Sequence, residues 1–302
     1  MQAYRRESMS RFFWMSLLIL IGCQCSNKDN SNTKEVQQDA APTPYEEAIA
    51  DPMVEFRGST VDTRFKVPKG YERGTVGEET FANYLRKLPL KVPGSQVKYH
   101  NGETKSNPVH AAVIDIAIGD KDLHQCADAI MRLQAEYLWL QGRYDEIHFN
   151  FTNGMRVDYS KWIAGQRIKV DGNKTSWYDY ASPSNNYKDF WDYMEQIFMY
   201  AGTSSLSKEL SKVSSDNIQI GDIFIQGGHP GHAVIVVDLA EHSETGKKVM
   251  MVAQSFMPAQ ELHILKNNDN RKLSPWYEVD STRELILPEW SFKWTDLKRF
   301  KE

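Results

Sequence analysis

The sequence predicts an α+β fold, and three observations carry that expectation. Segments 122–140 and 187–200 place apolar residues at helical spacing. The last third of the chain is instead a series of short apolar runs separated by Gly, Pro or charged turns, the pattern of strands. With 302 residues, 41% of them hydrophobic and 12% aromatic, the chain can bury a sizeable core.

The first segment is read as targeting rather than fold. Arg5, Arg6 and Arg11 precede an apolar run from Phe12 to Ile21. At about ten residues this run is too short to span a bilayer as a helix, which needs roughly 20. It ends in Leu20-Ile21-Gly22-Cys23, which resembles the bacterial lipobox. Residues 1–22 are therefore expected to be a lipoprotein signal peptide, and Cys23 the lipidated residue. Residues 23–50 are mostly polar and are expected to form a flexible tether. Residues 51–302 are expected to be a single α+β domain, with the protein lipid-anchored in a bacterial cell envelope.

Within 51–302, segments 60–66 and 71–76 read as short strands on either side of Pro68-Lys69-Gly70. Phe81, Leu85 and Leu88 give 78–88 helical spacing. Segments 97–101 and 111–118 read as strands. A helix over 122–140 follows, then an aromatic-rich helix over 187–200. Strands are expected at 218–225, 233–239, 249–254 and 261–265.

Composition narrows the partners. The formal charge is −4. Removing residues 1–22, with three Arg and one Glu, takes it to −6. No basic block interrupts this mildly acidic balance, which argues against nucleic acid. No H-x-x-x-H helix, Cys pair or carboxylate-rich loop accompanies the eight histidines, so no metal or other cofactor is expected. The sequence leaves the oligomeric state open.

With Cys23 lipidated and Cys25 in the tether, Cys126 is the lone domain thiol. Asp122 and Gln125 have the form of a capping pair, which would put Cys126 at about the fourth helical position. There the helix dipole favours a thiolate. Cys126 also lies on the apolar stripe from Leu123 to Ile130, so a core role stays open.

Gln219-Ile220-Gly221-Asp222-Ile223-Phe224-Ile225, followed by the strand from Gly231-His232 to Asp238, resembles the strand entry of NlpC/P60 and CHAP-type domains. That resemblance implies a papain-like layout, with a nucleophile helix packed on an antiparallel sheet. It implies Cys126 as nucleophile, His232 as base and Gln254 as the group orienting the imidazole. Gln254 stands where these families place His, Asn, Asp or Glu.

The whole chain from about residue 65 to 300 resembles a bacterial lipoprotein family, domain of unknown function 4846. The stretches that carry this are Leu88-Pro89-Leu90, Gln125-Cys126-Ala127-Asp128-Ala129, Ile147-His148-Phe149-Asn150-Phe151-Thr152, Gly227-Gly228-His229-Pro230-Gly231-His232-Ala233 and 253–260. The family implies an envelope lipoprotein and no particular chemistry.

Two further residues are candidate substrate contacts. Trp177, in a Ser/Thr/Asp-rich segment with Tyr178 and Tyr180, could stack on sugar rings. His229 shares the turn that leads to His232. The expected function is a thiol amidase or peptidase acting on peptides such as those of peptidoglycan. The alternative is a non-catalytic envelope lipoprotein that binds peptide or glycan.

Overall fold

Apolar runs in the last third of the chain build the sheet on which the helices pack. The structure is a computed structural model that describes residues 41–301. The expected signal peptide, Cys23 and most of the tether lie outside the described residues. The helices are α1 (Pro44–Ala50), α2 (Val61–Arg64), α3 (Phe81–Arg86), α4 (Cys126–Leu140), α5 (Tyr159–Ile163), α6 (Tyr187–Tyr200) and α7 (Thr203–Glu209).

The first strands are β1 (Tyr71–Glu72) and β2 (His110–Val113). Two hairpins follow, β3 (His148–Asn150) with β4 (Arg156–Asp158) and β5 (Gln166–Asp171) with β6 (Lys174–Asp179). Then come β7 (Ser211–Lys212), β8 (Ile223–Gln226), β9 (His232–His242), β10 (Lys248–Gln254), β11 (His263–Leu265) and β12 (Tyr277–Glu278). A last hairpin of β13 (Leu285–Ile286) and β14 (Ser291–Phe292) precedes β15 (Leu297–Arg299).

The main sheet runs β2-β11-β10-β9-β8-β15-β7, with β1 added to β9 and β12 to β10. Its pairings are antiparallel. Helices beside an antiparallel sheet make the fold α+β.

Strand alternation on β9 defines two cores. Ala233, Ile235 and Val237 enter the larger core, shared with Ala127, Ile130 and Leu133 of α4 and Phe190 and Met194 of α6. Val234 and Val236 enter a second core with Phe224, Val252, Leu265 and Phe292. Both faces of β9 are covered, which is why its sequence is a nearly continuous apolar run. Asp238, fully buried near its far end, accepts from Arg86 of α3 at 2.7 Å and Arg73 at 2.6 Å. Those ion pairs tie the α3 region to the sheet.

Several expected elements shift or shorten, and 97–101 forms isolated bridges rather than a strand; three departures bear on the site or on the domain's start. Helix α4 begins at Cys126, not at residue 122. The Asp122 carboxylate is engaged elsewhere, accepting from the Ala259 N–H at 2.6 Å and from Gln125 Nε2 at 3.1 Å. Asp128 closes the helix start instead, its Oδ2 accepting from the Gln125 N–H at 3.0 Å. Cys126 is thus the first helical residue rather than about the fourth.

Segment 60–66 holds the helical turn α2 where a strand was expected. Gly58 permits the tight return, since a Cβ there would lie 2.2 Å from the Thr63 carbonyl oxygen. Residues expected at the end of the tether form α1, capped reciprocally by Thr43 and Glu46 with Pro44 in its first turn. A Cβ on Gly94 would meet the Tyr45 backbone at 2.5 Å, so the start of α1 lies against the domain.

Candidate active site

The first residue of α4 and the first residue of β9 are brought to the same end of the sheet. Ser255, just past β10, anchors the approach to α4: its single Oγ–H is shared between the His124 carbonyl at 2.9 Å and the Gln260 carbonyl at 2.7 Å. This holds the approach to α4 against the strand ends.

Cys126 is 7% exposed. Burial, followed by the neighbouring Asp128, pushes its thiol up to about 11. The N–H groups of Ala127 and Ala233 favour the thiolate, but burial outweighs them. The thiolate-favouring position expected from the helix dipole is therefore corrected: the resting Cys126 is a neutral thiol.

His232 is 1% exposed. Its Nε2 pairs with Gln254 Oε1 at 2.8 Å. The ring lies among Phe256, Trp290 and Phe292, with centroids at 4.6, 5.3 and 6.0 Å. Burial lowers its pKa to about 4; Gln254 opposes that shift and Lys105 adds to it. His232 is a neutral imidazole at pH 7.

The structure brings His232 and Gln254 into contact. Cys126 and His232 share no hydrogen bond among the described contacts. They are linked one residue removed, through the Ala233 N–H that faces the Cys126 sulfur. Cys126 reaches the mouth of β9 from the α4 side, whereas the His232 ring lies against Phe292 of the second core. The resting arrangement is two neutral groups, not a thiolate–imidazolium pair.

A cleft of about 200 Å³ opens at Cys126 and is also lined by Asp128, Thr203, His229, Gly231 and Met257. Gly231 is required there: a Cβ would stand 2.4 Å from Thr203 Oγ1 and 2.7 Å from the Gly228 carbonyl oxygen. His229 is exposed at the cleft, as a substrate contact would be. Trp177 does not line it. Trp177 lies in β6 opposite Ile168, half-buried, with the Lys161 ammonium 5.5 Å from its ring. The hairpin turns that ring onto the larger core, so the expected loop platform is not formed by Trp177.

Four polar residues of this region went unrecognised in the sequence. Burial pushes the Asp128 carboxyl well above the usual carboxylate range, and its Oδ1 has no partner among the described residues. Glu289 accepts from Gln254 Nε2 at 2.8 Å and from Lys105 Nζ at 2.7 Å. His263 sits opposite Gln254 in the β10–β11 register, 3.4 Å from its Nε2. The hairpin 249–265 carried a signal for His263. No local signal pointed to Lys105 or Glu289.

A larger cavity of about 760 Å³, lined by Phe81, Tyr137, Arg143, Gly221 and Phe300 among others, touches neither Cys126 nor His232. Among the described residues no group of three or more His, Cys, Asp or Glu is placed to hold a metal ion. No described helix is long and apolar enough to cross a membrane.

No curated protein and no solved structure matches this chain. A family model does, over residues 61–299, a span that takes in α2 through β15 and every residue of the cleft. The chain belongs to the family described as Domain of unknown function (4846).

Proposed function

We propose that the domain is a papain-like thiol hydrolase, lipid-anchored through Cys23 in the cell envelope, that cleaves amide bonds of peptides such as peptidoglycan stem peptides. The observation that carries this reading is the 2.8 Å pairing of His232 Nε2 with Gln254 Oε1, one residue before Ala233, whose N–H faces the Cys126 sulfur. A nucleophile needs a base, and the base needs a group to orient it.

The chemistry starts from neutral partners. His232 takes the proton of the Cys126 thiol as the sulfur attacks the amide carbonyl carbon. The first N–H groups of α4, which have no acceptor within the helix, face the developing oxyanion. The imidazolium then protonates the leaving amine, and a thioester remains on Cys126. Water, deprotonated by His232, attacks the thioester and releases the acid and the thiol. At about 200 Å³ the cleft is smaller than a drug-sized pocket of ~300 Å³ or more, which suits one small residue at the scissile bond.

A second reading has its own observation. The burial of Cys126, and the rise of its thiol to about 11, favour a domain that binds peptide or glycan without cleaving it. Incubation with peptidoglycan-derived peptides separates the two. The hydrolase reading expects new amines that vanish in Cys126→Ala and fall at least a hundredfold in His232→Ala. Retention of intact peptide by both wild type and Cys126→Ala supports the binder.

A further inference from the structure

Gln254 is a neutral group in a position where a carboxylate would do more to favour an imidazolium. Its surroundings supply what the amide lacks. Gln254 Nε2 has two hydrogens and two acceptors: Glu289 Oε2 at 2.8 Å and His263 Nε2 at 3.4 Å. The His263 Nδ1–H donates to the Glu261 carbonyl at 2.8 Å, so in the neutral ring the lone pair is on Nε2. Burial lowers the His263 pKa to about 3, which keeps that ring neutral.

Flipping the Gln254 amide would set its oxygen against both the Glu289 carboxylate and the His263 lone pair. Two acceptor–acceptor contacts in a buried setting forbid that orientation. Lys105, 5% exposed, fixes the carboxylate in turn through its 2.7 Å bond to Glu289 Oε1. Donation therefore converges on the carboxylate, from the Lys105 ammonium on one side and from imidazole through amide on the other.

We infer that Glu289 is a positioning residue: it locks the Gln254 amide so that His232 donates from Nε2 and keeps its lone pair on Nδ1. Its place in catalysis rests on the hydrolase reading, whereas the lock itself does not. In catalytic terms Nδ1 is then the basic atom. As the ring becomes imidazolium, the Glu289 charge acts on it through one amide link.

Ring nitrogen NMR of the histidines in the full chain at pH 7 tests this without substrate. The lock predicts a wild-type His232 protonated on Nε2. In Glu289→Gln, which keeps the size but loses the charge, a mixture with the Nδ1–H form should appear, and Glu289→Asp should restore the wild-type state. Wild-type His232 protonated on Nδ1, or identical His232 spectra in wild type, Glu289→Gln and Glu289→Ala, would overturn it. The wild-type measurement needs no variant to fold. An intact Nε2–H state beside a chain that never acylates on Cys126 would keep the lock and remove the hydrolase reading.

Discussion

His232 and Gln254, on the antiparallel neighbours β9 and β10, meet at 2.8 Å between Nε2 and Oε1. Almost no solvent reaches either residue, at 1% exposure each. The pairing gives the imidazole one fixed direction within a shell of Phe256, Trp290 and Phe292. Orientation here comes from burial and hydrogen bonding rather than from a charge in direct contact with the ring.

Replacing Gln254 by Leu leaves the buried His232 Nε2–H without its acceptor. A buried donor left unsatisfied costs about 1–3 kcal/mol. Urea unfolding of Gln254→Leu should show a loss in that range. A stability equal to wild type would mean that the bond contributes nothing to the fold.

Alkylation of Cys126 by iodoacetamide should be slow at pH 7 and accelerate toward about pH 11, because the fold favours the protonated thiol. The sign for stability follows from the same shift. The contribution is complete below the ordinary thiol value of 9.0 and is lost as pH rises through about 11. Asp128→Asn removes the acidic neighbour and should speed alkylation at pH 8 to 9. A rate that is already pH-independent at neutral pH would contradict this account of the thiol.

Asp238 holds Arg86 and Arg73 against β9 from a fully buried position. Asp238→Ala strands the Arg86 guanidinium, whose side chain is 7% exposed. Breaking one partner out of a buried pair costs about 3–5 kcal/mol, and calorimetry should show a fall of that size. A change like that of a surface substitution would show the pairs to be dispensable.

What could be read from the sequence was what depends on neighbours along the chain. Helix α6 has the expected bounds, because its apolar face repeats at helical spacing and Asn186 caps it, accepting from the Asp189 N–H at 3.0 Å. Strands β9 and β10 were visible as apolar runs with turns at both ends. The start of α4 was hidden by a distant contact, the Ala259 N–H on Asp122, which removes that carboxylate from capping. Hairpins β3–β4 and β5–β6 were not foreseen, since their half-exposed strands carry weak alternation.

The candidate site divides in the same way. Cys126, His232 and Gln254 could be singled out through the resemblance of 219–238 to NlpC/P60 and CHAP-type domains, together with a lone thiol in a first helical turn. The neutral resting state could not, because burial of the thiol and imidazole depends on packing between α4, β9 and the 285–292 hairpin. Glu289 reaches Gln254 across 35 positions of sequence, and only the fold brings the two together.

Acylation of Cys126 by an activated acyl ester, followed by intact mass, tests the central claim most directly. The account predicts one added acyl group on wild type, none on Cys126→Ala, and a rate at least a hundredfold lower in His232→Ala. Equal acylation of wild type and His232→Ala, or none on either, would contradict a hydrolase built on this pair.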